Sequence, residues 1–158
     1  MGNFQLIIRT TIAAAVALAL TGPVSAQVLE EITVTAQKRE QSMQDVGVAV
    51  TAFSGEAMED LGMTMSVDVA AMTPGLSMST TNGLNNILNI RGVSQNDFSL
   101  HQETPVTVYV DEGYISFPSA QRFTNLDMER VEVLRGPQGT LFGRNATGGL
   151  LHFVTRKP

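Results

Sequence analysis

Few side chains in this sequence are of the kinds that perform chemistry. It contains no cysteine, which excludes a thiol nucleophile, a disulfide framework and thiolate-ligated zinc or iron-sulfur centres. Its two histidines, His101 and His152, stand alone, with no cysteine, carboxylate or second histidine at metal spacing. His152 falls between apolar neighbours and reads as a packing or hydrogen-bonding residue. No G-x-S-x-G, H-E-x-x-H, G-x-x-x-x-G-K-[ST] or G-x-G-x-x-G pattern occurs, so no catalytic residue, metal ligand or cofactor is assigned. Asn145-Ala146-Thr147 fits a glycosylation sequon, a three-residue match that arises often by chance.

Two residue classes remain. Gly136, Gly139, Gly143, Gly148 and Gly149 punctuate a short stretch. A phosphate cradle is the rival reading, and Pro137 removes a donor that such a nest would use. The glycines are therefore expected to permit positive φ and close backbone approach at strand, turn and helix junctions. Arginine outnumbers lysine beyond residue 26, where the lysines are Lys38 and Lys157. Guanidinium forks hold carboxylates in two-point geometry, which suits a domain set inside a charged wall. Pairing within the domain, for example of Arg130 with Asp127 or Glu132, is an equally good account of any one of them.

The elements that must position these residues make one modest domain. The chain has 158 residues, 10 Lys+Arg against 15 Asp+Glu and a net charge of -5. It has no basic cluster, which argues against nucleic acid as a partner. Arg9, the apolar run 10–20, Pro23 and Val24-Ser25-Ala26 have the layout of a secretory signal peptide cut between Ala26 and Gln27. The apolar run is about half the roughly 20 residues that a membrane span needs.

Residues 28–36 follow with Ile32, Val34 and Ala36 on one side and Thr33 and Thr35 on the other, a strand pattern. The polar stretch 37–42 reads as a tether. A strand on a leash can add itself to the edge of a partner's sheet; composition alone favours the simpler reading, the first strand of the domain. Val46, Val48, Val50 and Ala52 then share one face of a strand. Ser54 caps a helix over 56–61 ended by Gly62, and Ser66 caps another over 67–72 ended by Thr73-Pro74-Gly75. Further strands are expected at 76–79, 87–91, 106–110, 131–134 and 151–155. Residues 80–86, 94–104 and 113–121 read as long surface loops available to a ligand.

One stretch is more specific than all of these. Met128-Glu129-Arg130-Val131-Glu132-Val133-Leu134-Arg135-Gly136-Pro137-Gln138-Gly139, with Gly143 and the Gly148-Gly149 pair before a last strand, resembles the plug domain of TonB-dependent outer-membrane receptors. Glu31-Ile32-Thr33-Val34-Thr35-Ala36 resembles the TonB box, Ile90-Arg91-Gly92 the plug's internal Ile-Arg-Gly strand end, and 105–113 its strand ending in Val-Asp-Gly or a variant. Leu150-Leu151-His152-Phe153 departs from the smaller strand usual there.

The resemblance implies an α+β plug-like domain, a small mixed sheet with short helices and long loops, organised as signal peptide 1–26, TonB box and flexible linker 27–44, and plug 45–158. It implies that Glu31, Ile32, Thr33, Val34, Thr35 and Ala36 engage TonB, energised with ExbB and ExbD. It makes Arg91 and Arg135 the candidates for contacts to barrel carboxylates, and Gly92 a structural glycine with the five above. The implied role is the plug and coupling segment of an outer-membrane receptor for a scarce nutrient such as a ferric siderophore or cobalamin. Pro158 falls where such a receptor's barrel begins, and a barrel of about 22 strands of roughly ten residues each has no counterpart here. A truncated receptor unable to transport alone is thus the expectation. The alternative is a freestanding periplasmic module that engages TonB or a separate barrel chain.

Overall fold

The computed structural model describes residues 32–35, 38–39, 41–81, 83, 85–96 and 102–158. The expected signal peptide with its Ala26 and Gln27 cleavage point, and Glu31 and Ala36 of the expected TonB box, lie outside the described residues.

A five-stranded sheet organises the rest, with strand order β3(Ala49–Ser54), β8(Met128–Arg135), β9(Gly149–Thr155), β6(Val106–Val110) and β7(Gly113–Ile115). β6 and β9 run parallel and the other neighbours antiparallel, so the sheet is mixed. Two small hairpin sheets accompany it, β4(Leu76–Thr81) with β5(Asn85–Ile90), and β1(Thr33–Val34) with β2(Gln41–Ser42). Helix α1(Gly55–Asp60) is short, as are α2(Ser66–Met72) and α3(Gly139–Phe142), and two 3₁₀ turns lie at Met43–Asp45 and Pro118–Gln121.

Side chains of successive strand residues point to opposite faces, and the sheet is apolar on both. Phe53, Val131, Val133, Leu151, Phe153, Val106 and Val108 face a cluster completed by Met58, Val69, Leu88 and Ile90 from α1, α2 and β5. Val50, Ala52, Leu134, Leu150 and Tyr109 face the opposite way, onto a smaller cluster with Phe142, Ala146 and Val34. The face expected for Val46, Val48, Val50 and Ala52 is this second one.

The helix ends have local causes. Ser54 caps α1 by accepting a hydrogen bond from the Ala57 N–H at 3.3 Å. Ser66 does not cap α2. The Asp68 carboxylate accepts from the Met65 N–H at 2.8 Å instead. The Ser66 hydroxyl donates to the Gln121 carbonyl at 2.8 Å and accepts from the Phe123 N–H at 3.2 Å, tying α2 to a distant segment.

Three other expectations change. Residues 80–86 are not a long loop, since Thr80 pairs with Asn86 and Thr81 with Asn85 in the β4–β5 hairpin. The stretch 113–121 is not an open loop, since it contains β7 and a 3₁₀ turn whose Gln121 is fully buried. The tether expected over 37–42 ends in a strand, Gln41–Ser42, which pairs with Thr33–Val34. Among the described residues no helix is long and apolar enough to cross a membrane, which says nothing of strands.

Candidate functional site

The front strand docks over the smaller cluster of the sheet. Val34 is fully buried there and Ile32 packs beside it, whereas Thr33 points outward and is exposed. The hairpin consists of two residue pairs, Thr33 with Ser42 and Val34 with Gln41. It is extended by a Met43 N–H bond to the Ile32 carbonyl at 3.1 Å and closed by a Lys38 N–H bond to the Thr35 carbonyl at 2.8 Å. The Lys38 ammonium sits 5.6 Å from the centre of the Phe142 ring, within cation–π range.

Beneath this strand, register sets a single row across all five strands. Ala52 on β3 faces Glu132 on β8, Glu132 faces His152 on β9, His152 faces Tyr109 on β6, and Tyr109 faces Tyr114 on β7. An apolar face thus carries an acid, an imidazole and two phenols side by side. Each finds at least one partner, while Glu132 Oε2 and His152 Nδ1 are buried without a hydrogen bond among the described residues. The Tyr109 hydroxyl donates to the Phe142 carbonyl at 2.8 Å, and its ring lies 5.4 Å from that of Tyr114. Burial raises both hydroxyls above the usual tyrosine range, so they remain neutral at pH 7.

Glu132 is the centre of the row, and its side chain is fully buried. Its Oε1 accepts from the Thr35 N–H at 2.8 Å, the Thr35 hydroxyl at 3.2 Å and the Arg130 Nε at 2.8 Å. Arg130 also pairs with Glu129 and donates to the Thr35 hydroxyl at 3.3 Å. Glu132 Oε2 faces His152 Nδ1 at 3.8 Å, beyond hydrogen-bond length. Burial pushes a carboxyl up, but here the neighbouring His152 ring, the Thr35 N–H and the Arg130 guanidinium together outweigh it and hold Glu132 below the ordinary range.

His152 Nε2 lies 2.6 Å from the Asp111 carbonyl. A carbonyl can only accept, so Nε2 carries a hydrogen. The Asp111 backbone has φ +52°, and its carboxylate accepts from the Thr155 N–H at 3.0 Å and the Thr155 hydroxyl at 3.1 Å. Beside the docked strand a cleft of about 520 Å³ opens, lined by Thr35, Lys38, Arg39, Arg130, His152 and Arg156 among others.

The other residues singled out from sequence lie elsewhere on the domain. Arg91 is exposed with φ +51°, and its N–H donates to the Gly75 carbonyl at 2.9 Å. Arg135 is half-buried and donates from a terminal guanidinium nitrogen to the Pro74 carbonyl at 3.3 Å, while its buried Nε has no partner among the described residues. The two arginines thus meet at one turn, Pro74-Gly75, and among the described residues neither has a carboxylate within 4.0 Å.

Positive φ occurs at Gly92, Gly136, Gly143 and Gly149. At Gly149 (φ +142°) a Cβ would also collide with the Leu134 carbonyl oxygen. Gly148 has ordinary φ but approaches Val93 closely, and Gly139 does neither, serving as the first residue of α3. From the sequence, Glu132 is only a possible partner of Arg130; its place under the front strand is visible in the structure alone. The available signal was an acid inside the run Val131-Glu132-Val133-Leu134.

With this geometry in hand, known proteins give a consistent match. The model of the TonB-dependent receptor plug domain matches residues 42–150. The pesticin receptor of Yersinia pestis is 37% identical over 131 residues, 80% of this chain and 19% of that protein. The vitamin B12 transporter BtuB of Vibrio vulnificus is 30% identical over 131 residues, 82% of this chain and 21% of that one. The crystal structure of the ferric yersiniabactin uptake receptor FyuA from Yersinia pestis superposes with a TM-score of 0.64 at 35% identity, covering 70% of this chain and 17% of the receptor. The chain spans about a fifth of the length of the curated relatives it matches.

Proposed function

The chain belongs to the family of TonB-dependent receptor plug domains, and from that premise we propose that it is the plug and coupling segment of an outer-membrane receptor for active uptake of a scarce nutrient. Ferric siderophores and cobalamin are the substrate classes in view, because the similar proteins include a ferric yersiniabactin uptake receptor and a vitamin B12 transporter. In this reading the plug sits within an outer-membrane β-barrel. Residues 31–36 are the strand handed to TonB, which with ExbB and ExbD supplies the pull.

The observation that carries the reading is the condition of the front strand. It is extended and lies outside the five-stranded sheet, paired with a strand of only two residues. Such a strand can leave without breaking the main sheet and pair with another sheet's edge, where backbone hydrogen bonds supply affinity. Arg91 and Arg135, meeting at Pro74-Gly75 without carboxylate partners among the described residues, are the cations for barrel carboxylates.

The test is capture of the chain by the periplasmic part of TonB, repeated with Val34→Pro, which removes a backbone donor. Binding by the parent and loss in the variant is expected; equal capture of both forms removes support for the strand assignment. In a complete receptor, Arg135→Glu or Arg91→Glu should weaken retention of the plug, and unchanged retention would reject the barrel contacts.

A further inference from the structure

Besides the packing of Ile32 and the few hairpin bonds, the docked strand is held by two things of different kinds. One is the Val34 side chain, fully buried among Leu134, Phe142, Ala146 and Leu150. The other is polar, an oxygen of a fully buried carboxylate receiving both the backbone N–H and the hydroxyl of Thr35. The hairpin contributes little further, since β1 and β2 share two residue pairs and the turn between them is polar.

The Thr35 N–H is the kind of donor that an added strand offers to a partner's edge. While Glu132 occupies it, that donor is out of circulation. Arg130 orients the acceptor. Its Nε fixes Oε1 at 2.8 Å, and its other donors reach Glu129 and the Thr35 hydroxyl. When the strand departs, Oε1 keeps the Arg130 bond, so the carboxylate is not left as a bare buried charge. An apolar residue at 132 could fill the same place in the sheet but could not accept from Thr35. The position therefore does more than fill the sheet.

We propose that Glu132 is the latch of the front strand: its carboxylate, oriented by Arg130, holds residues 32–35 against the plug through the Thr35 backbone N–H and so sets how readily that strand is offered to an outside sheet edge. The identity of the outside partner rests on the TonB reading above; the latch itself does not. Glu132 is a positioning residue, acting through Thr35.

The chain has no cysteine, so Val34→Cys introduces a unique thiol at a buried point of the strand, and its rate of maleimide labelling reports undocking. In that background, Glu132→Met and Thr35→Pro are each expected to accelerate labelling by about tenfold or more, the scale of one charge-assisted hydrogen bond. Amides of β9 should keep their hydrogen-exchange protection, which a general loss of structure would not allow. If neither variant labels faster, the latch is overturned. If Glu132→Met exposes β9 as well, Thr35→Pro decides the matter, because it leaves the sheet's own side chains in place; slow labelling of that variant rejects the proposal and fast labelling sustains it. Capture by the periplasmic part of TonB is measured on the same proteins. Fast labelling without capture of any form leaves the latch standing and removes the TonB reading; capture that is sensitive to Val34→Pro but labelling that is indifferent to position 132 does the reverse.

Discussion

The two faces of the central sheet are covered in different ways. On one, Val131, Val133, Leu151 and Phe153 meet side chains of α1, α2 and β5, and among the described residues no buried ionisable group lies there. On the other, Leu134 and Leu150 meet α3, the 136–148 connection and a two-residue strand, with Glu132 and His152 buried between them. Dispersion and apolar burial seal the first face over many residues. The second depends for its front cover on a few side chains of one short hairpin, Val34 with Ile32 beside it, and on one carboxylate. A face closed in that second manner can open while the first stays shut, because local opening needs only the few contacts of the departing segment to break.

That contrast can be broken by measurement. The largest effect belongs to the sealed face: Phe153→Ala should cost about 3–5 kcal/mol and lower the midpoint of denaturant unfolding for the whole domain. A small loss there would mean the two faces are alike.

An intermediate effect is expected in acid. Glu132 lies below the ordinary glutamate range when folded, so its contribution is complete above that range, about 4.3, and is lost as pH falls through its folded value. The groups facing it are His152 from β9, Arg130 from its own strand and Thr35 from the front strand. Amide signals of residues 32–35 should therefore move to undocked positions below the ordinary glutamate range, and Glu132→Gln should flatten that response. Movement of the β8 and β9 signals at the same pH would contradict a separable front cover.

Val34→Ala should have the smallest effect on global unfolding, about 1 kcal/mol or less, because the strand leaves before the sheet melts. A value matching Phe153→Ala would merge the two faces into one cooperative unit.

Much of this arrangement is legible in the sequence, and the exceptions share a cause. The period-two run Val46, Val48, Val50 and Ala52 identifies one face correctly, and Ser54 announces the start of α1. Those signals are local. Ser66 misleads because its hydroxyl is taken up by Gln121 and Phe123, more than fifty positions away. The 113–121 stretch reads as loop because its three-residue strand is specified by Val108, Tyr109 and Val110 across the turn and not by its own alternation. The pairing of Gln41–Ser42 with Thr33–Val34 is hidden for a similar reason, since two polar residues carry no periodicity. Glu132 is the clearest instance. Alternation assigns it the side opposite Val131 and Val133, and ordinarily that side faces water. Only the docked strand, Arg130 and His152 turn the position into a buried one.

The place of β9 in the sheet also governs how the domain can come into being. Both strands that flank it, β8 and β6, precede it in the chain. Until residues 149–155 are in place, the five-stranded sheet exists only as two separate ribbons, β3 with β8 and β6 with β7, each showing a raw edge where the keystone belongs. Assembly must therefore wait for that segment. Non-local closure of this kind is slow, and a chain interrupted ahead of Gly149 would present two unmatched borders to every neighbour it met.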